Sequence, residues 1–189
     1  MPNPPIGFRI LPCPSRPALQ HLEQLAALPT PNISDNMQRH CGAAAGLRPY
    51  HRGGKLIGPA FTVKTRPGDN LLVHKAIDMA GPGDVIVVDA GGEVAQAIIG
   101  EIMTAHAAKR GIAGFVIDGA IRDAEAIASA NFPVFALAIA ESAPCFAQPA
   151  RRFMLFLHSS NSIRYTHTFP LSPIMTQCNI SDGGQSEHT

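Results

Sequence analysis

Residues 112–123 read Ile112-Ala-Gly-Phe-Val-Ile-Asp118-Gly-Ala-Ile-Arg122-Asp123. The apolar run from Ile112 to Ile117 has the length and continuity of a strand buried on both faces. The Asp-Gly-x-x-Arg-Asp that follows puts a cation and two carboxylates past the carboxyl end of that strand. Ligands bind there in open α/β sheets. Arg122 and Asp123 are adjacent, so their side chains are expected to leave the backbone in different directions without neutralising each other. One can then hold an anionic substrate while the other holds a metal.

The same rhythm extends to both sides. Upstream, Val85 to Asp89 is a second apolar strand, followed by a Gly-containing loop and a helix up to Arg110, with Gly111 as a suitable C-cap. Before it, Lys55 to Thr65 reads as a strand bent at Gly58-Pro59. Pro67-Gly68-Asp69 is a turn, and Asp69 can cap a helix over Asn70 to Ala80. Gly81 to Asp84 is another turn. Downstream, a helix over Ala124 to Ala130 leads to a strand at Pro133 to Ala136. Strands and helices alternating at this spacing predict an α/β fold of parallel βαβ units with right-handed crossovers. Nearer the N-terminus, Ser15 can cap a helix with Pro17 in its first turn, running to about Leu28 and stopped by Pro29 and Pro31. A short second helix is expected over Ile33 to Cys41.

The bulk properties narrow the function. A chain of 189 residues with 46% hydrophobic and 15% charged residues has a globular composition, of one-domain length. A net charge of +1 leaves no basic excess to neutralise a nucleic-acid backbone. No apolar run approaches the roughly 20 residues of a membrane span. The N-terminus lacks the basic-then-apolar order of a signal peptide, so a cytoplasmic protein is expected. Cys13, Cys41, Cys145 and Cys178 form no CxxC or Cys/His cluster, which argues for free thiols rather than zinc. No GxGxxG follows a strand and no GxxxxGK[ST] occurs, so nucleotide binding has no motif support.

Composition changes near residue 137. Residues 1–136 hold three serines and fifteen of the 17 glycines, whereas 137–189 hold seven serines and only Gly183 and Gly184. The chain therefore divides into a domain over 1–136 and an atypical tail over 137–189. Ser181 to Thr189 is polar and expected to be disordered. The tail reads either as an ordinary variable extension or as the product of a frameshift or truncation that replaced native C-terminal strands.

Two segments carry chemistry: Gly100-Glu101-Ile102-Met103 and Arg122-Asp123. If Gly100 opens a helical turn, the backbone N–H groups that follow make an anion site suited to a carboxylate. Arg122 can add a forked, charge-assisted contact to that carboxylate or to a neighbouring keto oxygen. Asp123 offers a hard oxygen ligand to a divalent cation, a one-carboxylate arrangement typical of Mg²⁺. Glu101 could orient or deprotonate a metal-bound water. Set against this, Arg122-Asp123 could be a surface ion pair with Asp123 as an N-cap, and Glu101 a solvated helix residue. Asp89 and Asp118 are read as turn organisers, and His74 and His106 as structural. Gly91-Gly92 is read as a flexible turn or as a place where a substrate can approach the backbone.

Together, Gly68-Asp69-Asn70-Leu71, Gly83-Asp84-Val-Ile-Val-Val-Asp89, Gly100-Glu101 and Gly114 to Asp123 resemble the 4-hydroxy-4-methyl-2-oxoglutarate aldolase family, which also contains the regulators of ribonuclease E activity. The resemblance covers about residues 28–136. It implies a compact, swivelling β/β/α domain of the RraA-like type, assembled as homotrimers or homohexamers with sites at subunit interfaces. It also implies a metal-dependent aldolase that cleaves 4-hydroxy-4-methyl-2-oxoglutarate, or 4-carboxy-4-hydroxy-2-oxoadipate, to pyruvate and a second keto acid, with oxaloacetate decarboxylation as a side activity. Carried over by position, Gly100, Glu101, Ile102 and Met103 form the substrate loop, Arg122 binds the keto-acid end, and Asp123 contacts Mg²⁺ or Mn²⁺. Glu101 acts through a water. No lysine lies in these motifs, which disfavours a Schiff base. The alternatives are a non-catalytic regulator of ribonuclease E and an inactive truncated family member. Family members continue past Pro133-Val-Phe-Ala with a Gly-rich β region that has no counterpart after residue 137, which favours the frameshift or truncation reading of the tail.

Overall fold

The computed structural model describes residues 8–11, 16–37, 46–141 and 178–182. Its framework is one seven-stranded sheet. The strands are β1 (Phe8–Ile10), β2 (Arg48–Pro49), β3 (Ala60–Lys64), β4 (Val85–Ile99), β5 (Gly114–Ile121), β6 (Val134–Ile139) and β7 (Cys178–Asp182). Their spatial order is β1-β7-β3-β4-β5-β6-β2. The run β7-β3-β4-β5-β6 is parallel throughout, and β1 and β2 close the two edges antiparallel.

The helices are α1 (Leu19–Ala27), α2 (Thr30–Asn36), α3 (Leu71–Met79), α4 (Glu101–Lys109) and α5 (Ala124–Ala130). Helices α3, α4 and α5 connect β3 to β4, β4 to β5 and β5 to β6, so the predicted βαβ units and α/β class are observed. Buried Leu72, Val73, Ala76 and Ile77 form an apolar stripe on α3. They join the β4 and β5 residues Ile86, Val88, Phe115, Ile117 and Ile121 in the main core. Val85 to Val88 is buried without a break, as a central parallel strand requires.

The expected elements shift in several places. Helix α1 starts after Ala18, with no side-chain cap, and Ser15 lies outside the described residues. Helix α1 ends at Ala27, ahead of Pro29 and Pro31 as expected, and Pro31 also sits in the first turn of α2, which starts at Thr30 rather than Ile33 and ends at Asn36, not Cys41. Asn70 is the cap residue of α3, while Asp69 contributes from one position earlier, its Oδ1 accepting the Leu71 N–H at 2.9 Å. Ser181 and Asp182, expected in a disordered end, stand in β7: Ser181 pairs with Lys64 of β3 and Arg9 of β1, and Asp182 with Phe8 of β1, since a polar segment can join an edge through its backbone; residues 183–189 lie outside the described residues. The compositional boundary at residue 137 falls inside β6.

The largest difference concerns β4 and β5. Strand β5 runs on through Asp118-Gly-Ala-Ile121, so only Arg122-Asp123 lies past its end. Strand β4 does not end at Asp89 but continues to Ile99. Its register shifts repeatedly: Asp89 faces Asp118, Glu93 faces Gly119, Ala97 faces Ala120 and Ile99 faces Ile121. Ten steps along β4 thus match three along β5, and the surplus of seven residues forms an excursion between two aligned ends.

Arg16, just before α1, is bound to the sheet end through Asp84. Its Nε donates to Asp84 Oδ1 at 3.0 Å and a terminal nitrogen donates to Oδ2 at 2.6 Å. Asp84 is only 2% exposed, and the Gly81 N–H adds a third bond at 2.8 Å. The hydrogen bonds to Asp84 raise the Arg16 pKa further above its ordinary value.

Candidate active site

The return of the β4 excursion positions the first segment. Ile99 pairs with Ile121, and the Ile99 carbonyl accepts the Arg122 N–H at 3.0 Å. Gly100 follows as the cap residue of α4, in extended conformation with φ −147° and ψ −167°. Any residue can adopt that backbone, so glycine is required here for space. A Cβ on Gly100 would meet Asp123 Oδ2, with Arg122 Cγ at 2.9 Å and Nε at 3.0 Å. The two segments singled out in the sequence are therefore in contact.

Asp123 is the hinge of the arrangement. It adopts the left-handed region at φ 56°, uncommon for a residue other than glycine. Its backbone caps α5, the carbonyl accepting the Ile127 N–H at 3.1 Å. Its side chain makes no cap bond to α5. Instead Oδ2 accepts the Glu101 N–H at 3.0 Å, at the start of α4. A carboxylate at a helix N-terminus is held by both the exposed N–H and the helix dipole. Thr104 N–H to the Gly100 carbonyl, at 3.1 Å, is the first bond of α4, so Ile102 and Met103 also present N–H groups ahead of it.

Arg122 and Asp123 do not diverge as expected. Arg122 Nε lies 3.5 Å from Asp123 Oδ2, because the left-handed turn at Asp123 swings its carboxylate back toward the guanidinium. The side chains remain 36% and 41% exposed, so the pair is accessible to a ligand. Glu101 and Ile102 are exposed, Ile102 at 78%, and Met103 is buried. All six residues predicted for the site stand on the adjoining starts of α4 and α5.

Sequence reasoning assigned no site role to Asn70. It is 2% exposed, its Nδ2 lies 3.5 Å from Met103 Sδ, and its Oδ1 has no hydrogen-bond partner among the described residues. The motif Gly-Asp-Asn-Leu thus meets the segment 100–103 at Met103; a buried amide after a turn was the available signal. His74 and His106 are close enough to influence each other, and burial first, then His106, lowers the His74 pKa. Among the described residues no group of three or more His, Cys, Asp or Glu side chains could hold a metal ion. No helix among them is long and apolar enough to cross a membrane.

A family model described as RraA-like, Aldolase/RraA, matches residues 30–151. A protein of Halalkalibacterium halodurans named "Putative 4-hydroxy-4-methyl-2-oxoglutarate aldolase" is 42% identical over 121 residues, 64% of this chain and 58% of that protein. A protein of the same name from Ectopseudomonas mendocina is 43% identical over 86 residues, 46% of this chain and 50% of that one. The chain thus spans about half the length of these curated relatives. Among solved structures, the RNA-processing inhibitor RraA from Thermus thermophilis superposes with a TM-score of 0.57 at 27% identity, over 64% of this chain and 73% of that one.

Proposed function

This chain belongs to the RraA-like family, and we propose that it is a carbon–carbon lyase that cleaves 4-hydroxy-4-methyl-2-oxoglutarate, or the related 4-carboxy-4-hydroxy-2-oxoadipate, to pyruvate and a second keto acid. The observation that carries this reading is the convergence of Gly100-Glu101 on Arg122-Asp123. It brings helix N–H groups, a guanidinium and an accessible carboxylate to one place. The two named aldolase relatives support the choice of reaction.

In the cleavage the C3–C4 bond breaks and its electron pair moves toward the C2 keto oxygen. The C4 hydroxyl loses its proton as C4 becomes a carbonyl, and C3 is then protonated. Arg122 binds the C1 carboxylate and the C2 oxygen and opposes the negative charge that gathers there. The N–H groups of Ile102 and Met103 orient the carboxylate. Glu101, exposed at the first position of α4, takes up the C4 hydroxyl proton through a water. Gly100 keeps the approach to Arg122 open.

The residues fit a divalent cation as a one-carboxylate site. Asp123 is a hard oxygen donor with 41% of its side chain exposed, and water and substrate oxygens would complete the shell of Mg²⁺ or Mn²⁺. When bound, such a cation supplies positive charge opposite the C2 oxygen. Oxaloacetate decarboxylation places the same charge on the same atom and follows as a side activity. Assembly as a homotrimer or homohexamer would cover Ile102, whose 78% exposure beside the site is high for an isoleucine.

The test is pyruvate release by the full chain, with and without a chelator. Turnover that stops with chelator and returns with Mg²⁺ is the expected result. Metal-independent turnover, or full activity in Asp123→Ala, rejects the metal-assisted mechanism. The second reading, a regulator of RNA processing such as one binding ribonuclease E, is favoured by the likeness to the Thermus inhibitor. Tight binding to ribonuclease E without turnover would select it.

A further inference from the structure

The N–H groups of the proposed site belong to the first turn of α4, and Thr104 closes that turn. Thr104 is a polar residue only 4% exposed. Its backbone N–H donates to the Gly100 carbonyl at 3.1 Å. Its hydroxyl donates to the Glu101 carbonyl at 2.8 Å and lies 3.3 Å from the Gly100 carbonyl oxygen. One residue thus engages both carbonyls that open the helix. A trans peptide unit is planar, with its C=O and N–H pointing in opposite directions. The Gly100 carbonyl shares its unit with the Glu101 N–H, and the Glu101 carbonyl shares its unit with the Ile102 N–H. Holding both carbonyls toward Thr104 turns both N–H groups the other way, out of the start of the helix. The first meets Asp123 Oδ2 at 3.0 Å. The second has no acceptor within the helix and faces the place of an incoming anion. A hydroxyl that donates to a carbonyl also polarises the whole unit, which strengthens its N–H as a donor.

We infer that Thr104 is a positioning residue: its hydroxyl, by holding the Glu101 carbonyl, aims and strengthens the Ile102 N–H that receives the substrate carboxylate. This rests on the reading of Gly100 to Met103 as the substrate loop. Thr104 itself touches no substrate atom and acts through the peptide unit between Glu101 and Ile102. Threonine in a helix often bonds back to a carbonyl three or four positions earlier, and such a bond by itself only satisfies a buried hydroxyl. Here the carbonyl it takes belongs to the unit whose other end faces the ligand. Losing the hydroxyl therefore has a consequence outside the helix, in anion affinity rather than in folding.

Two substitutions pull affinity and stability apart. Thr104→Val keeps the branched shape and removes the hydroxyl; Thr104→Ser keeps the hydroxyl and removes a buried methyl group. The full-length variants would be compared by calorimetric titration with pyruvate in the presence of Mg²⁺, by steady-state pyruvate release, by urea midpoints and by the NMR shift of the Ile102 amide proton. In Thr104→Val the pyruvate Kd and the KM should rise by about 3- to 10-fold, the net worth of one hydrogen bond. Its kcat should stay within about twofold of native, because the carboxylate is held alike in substrate and transition state. Its urea midpoint should not fall. Thr104→Ser should bind pyruvate as the native chain does while its midpoint drops, from the lost methyl group. The Ile102 amide proton should shift in Thr104→Val and return in Thr104→Ser. If Thr104→Val does not fold, Thr104→Ala removes the same hydroxyl with a residue of higher helix propensity. Native pyruvate affinity in a folded variant without the hydroxyl, or affinity that simply follows stability through the series, would overturn the inference. An Ile102 amide that shifts in the expected order in a chain that binds no pyruvate would uphold the hold of Thr104 on the turn and reject the substrate loop instead; an unmoved amide there would reject both.

Discussion

Asp123 Oδ2 accepts the backbone N–H of Glu101 at 3.0 Å, across 22 positions of sequence. One residue thereby caps two helices, α5 with its backbone and α4 with its side chain. The dual role ties the proposed metal ligand to the proposed substrate loop, and it separates two properties that substitution can probe.

Asp123→Asn retains an oxygen for the Glu101 N–H and loses the charge. Thermal stability should stay close to that of the native chain, while chelator-sensitive pyruvate release falls to background. Asp123→Ala should lose activity to the same extent and also about 1 kcal/mol of stability, the usual cost of losing a helix cap. Denaturant midpoints measured beside turnover check both.

Gly100→Ala places a methyl group against the Arg122 and Asp123 side chains, which must move aside. The expected outcome is a loss of about 1–3 kcal/mol from overpacking. A rise in KM of about 10-fold or more should accompany it as Arg122 is displaced. A stable variant with native KM would show that the approach to Arg122 is not the substrate path.

Arg122→Lys preserves charge but not the fork. Stability should change by less than about 0.5 kcal/mol, since the 3.5 Å pair with Asp123 is accessible to solvent. The catalytic effect should be larger, a fall in kcat/KM of about 10- to 100-fold, because an ammonium cannot span a carboxylate and a keto oxygen as a guanidinium can. Steady-state kinetics on both keto-acid substrates would measure it.

Asp118 gives a pH signature. Its folded-state pKa is raised above the ordinary 3.8, by burial and by Asp89. At pH values between the unfolded and the folded pKa, the native state therefore holds a proton that the unfolded chain releases. The stability tied to that proton is fully present below the unfolded pKa and is lost as pH rises through the folded one. Asp118→Asn escapes the loss. It should be more stable than the native chain at pH 7, with the difference closing as the pH falls below about 4. Urea midpoints across this range provide the measurement.

The strand and helix alternation from Val85 to Ala136 was legible because each element carries its own apolar period. Val85 to Val88 are buried in the sheet, as are Phe115 and Ile117 on either side of the partly buried Val116, as continuous apolar runs predict. The passage from Ala90 to Ile99 was read as a loop and a helix. Its paired glycines, and polar residues three apart at Glu93 and Gln96, give no strand period, and its pairing is imposed by β5. The left-handed turn at Asp123 was equally hidden, since nothing in Arg-Asp-Ala encodes a positive φ.

The sequence by itself determined the class of fold, the family and the six residues proposed for the site, because hydrophobic period and motif order are local properties. Tertiary structure decided that Gly100 is needed for room, that Asp123 faces the start of α4, and that Asp118 is buried opposite Asp89. These depend on which strand lies beside which and on how far the register slips between them. Pairings across such distances are fixed only when the chain closes on itself and buried groups must find partners.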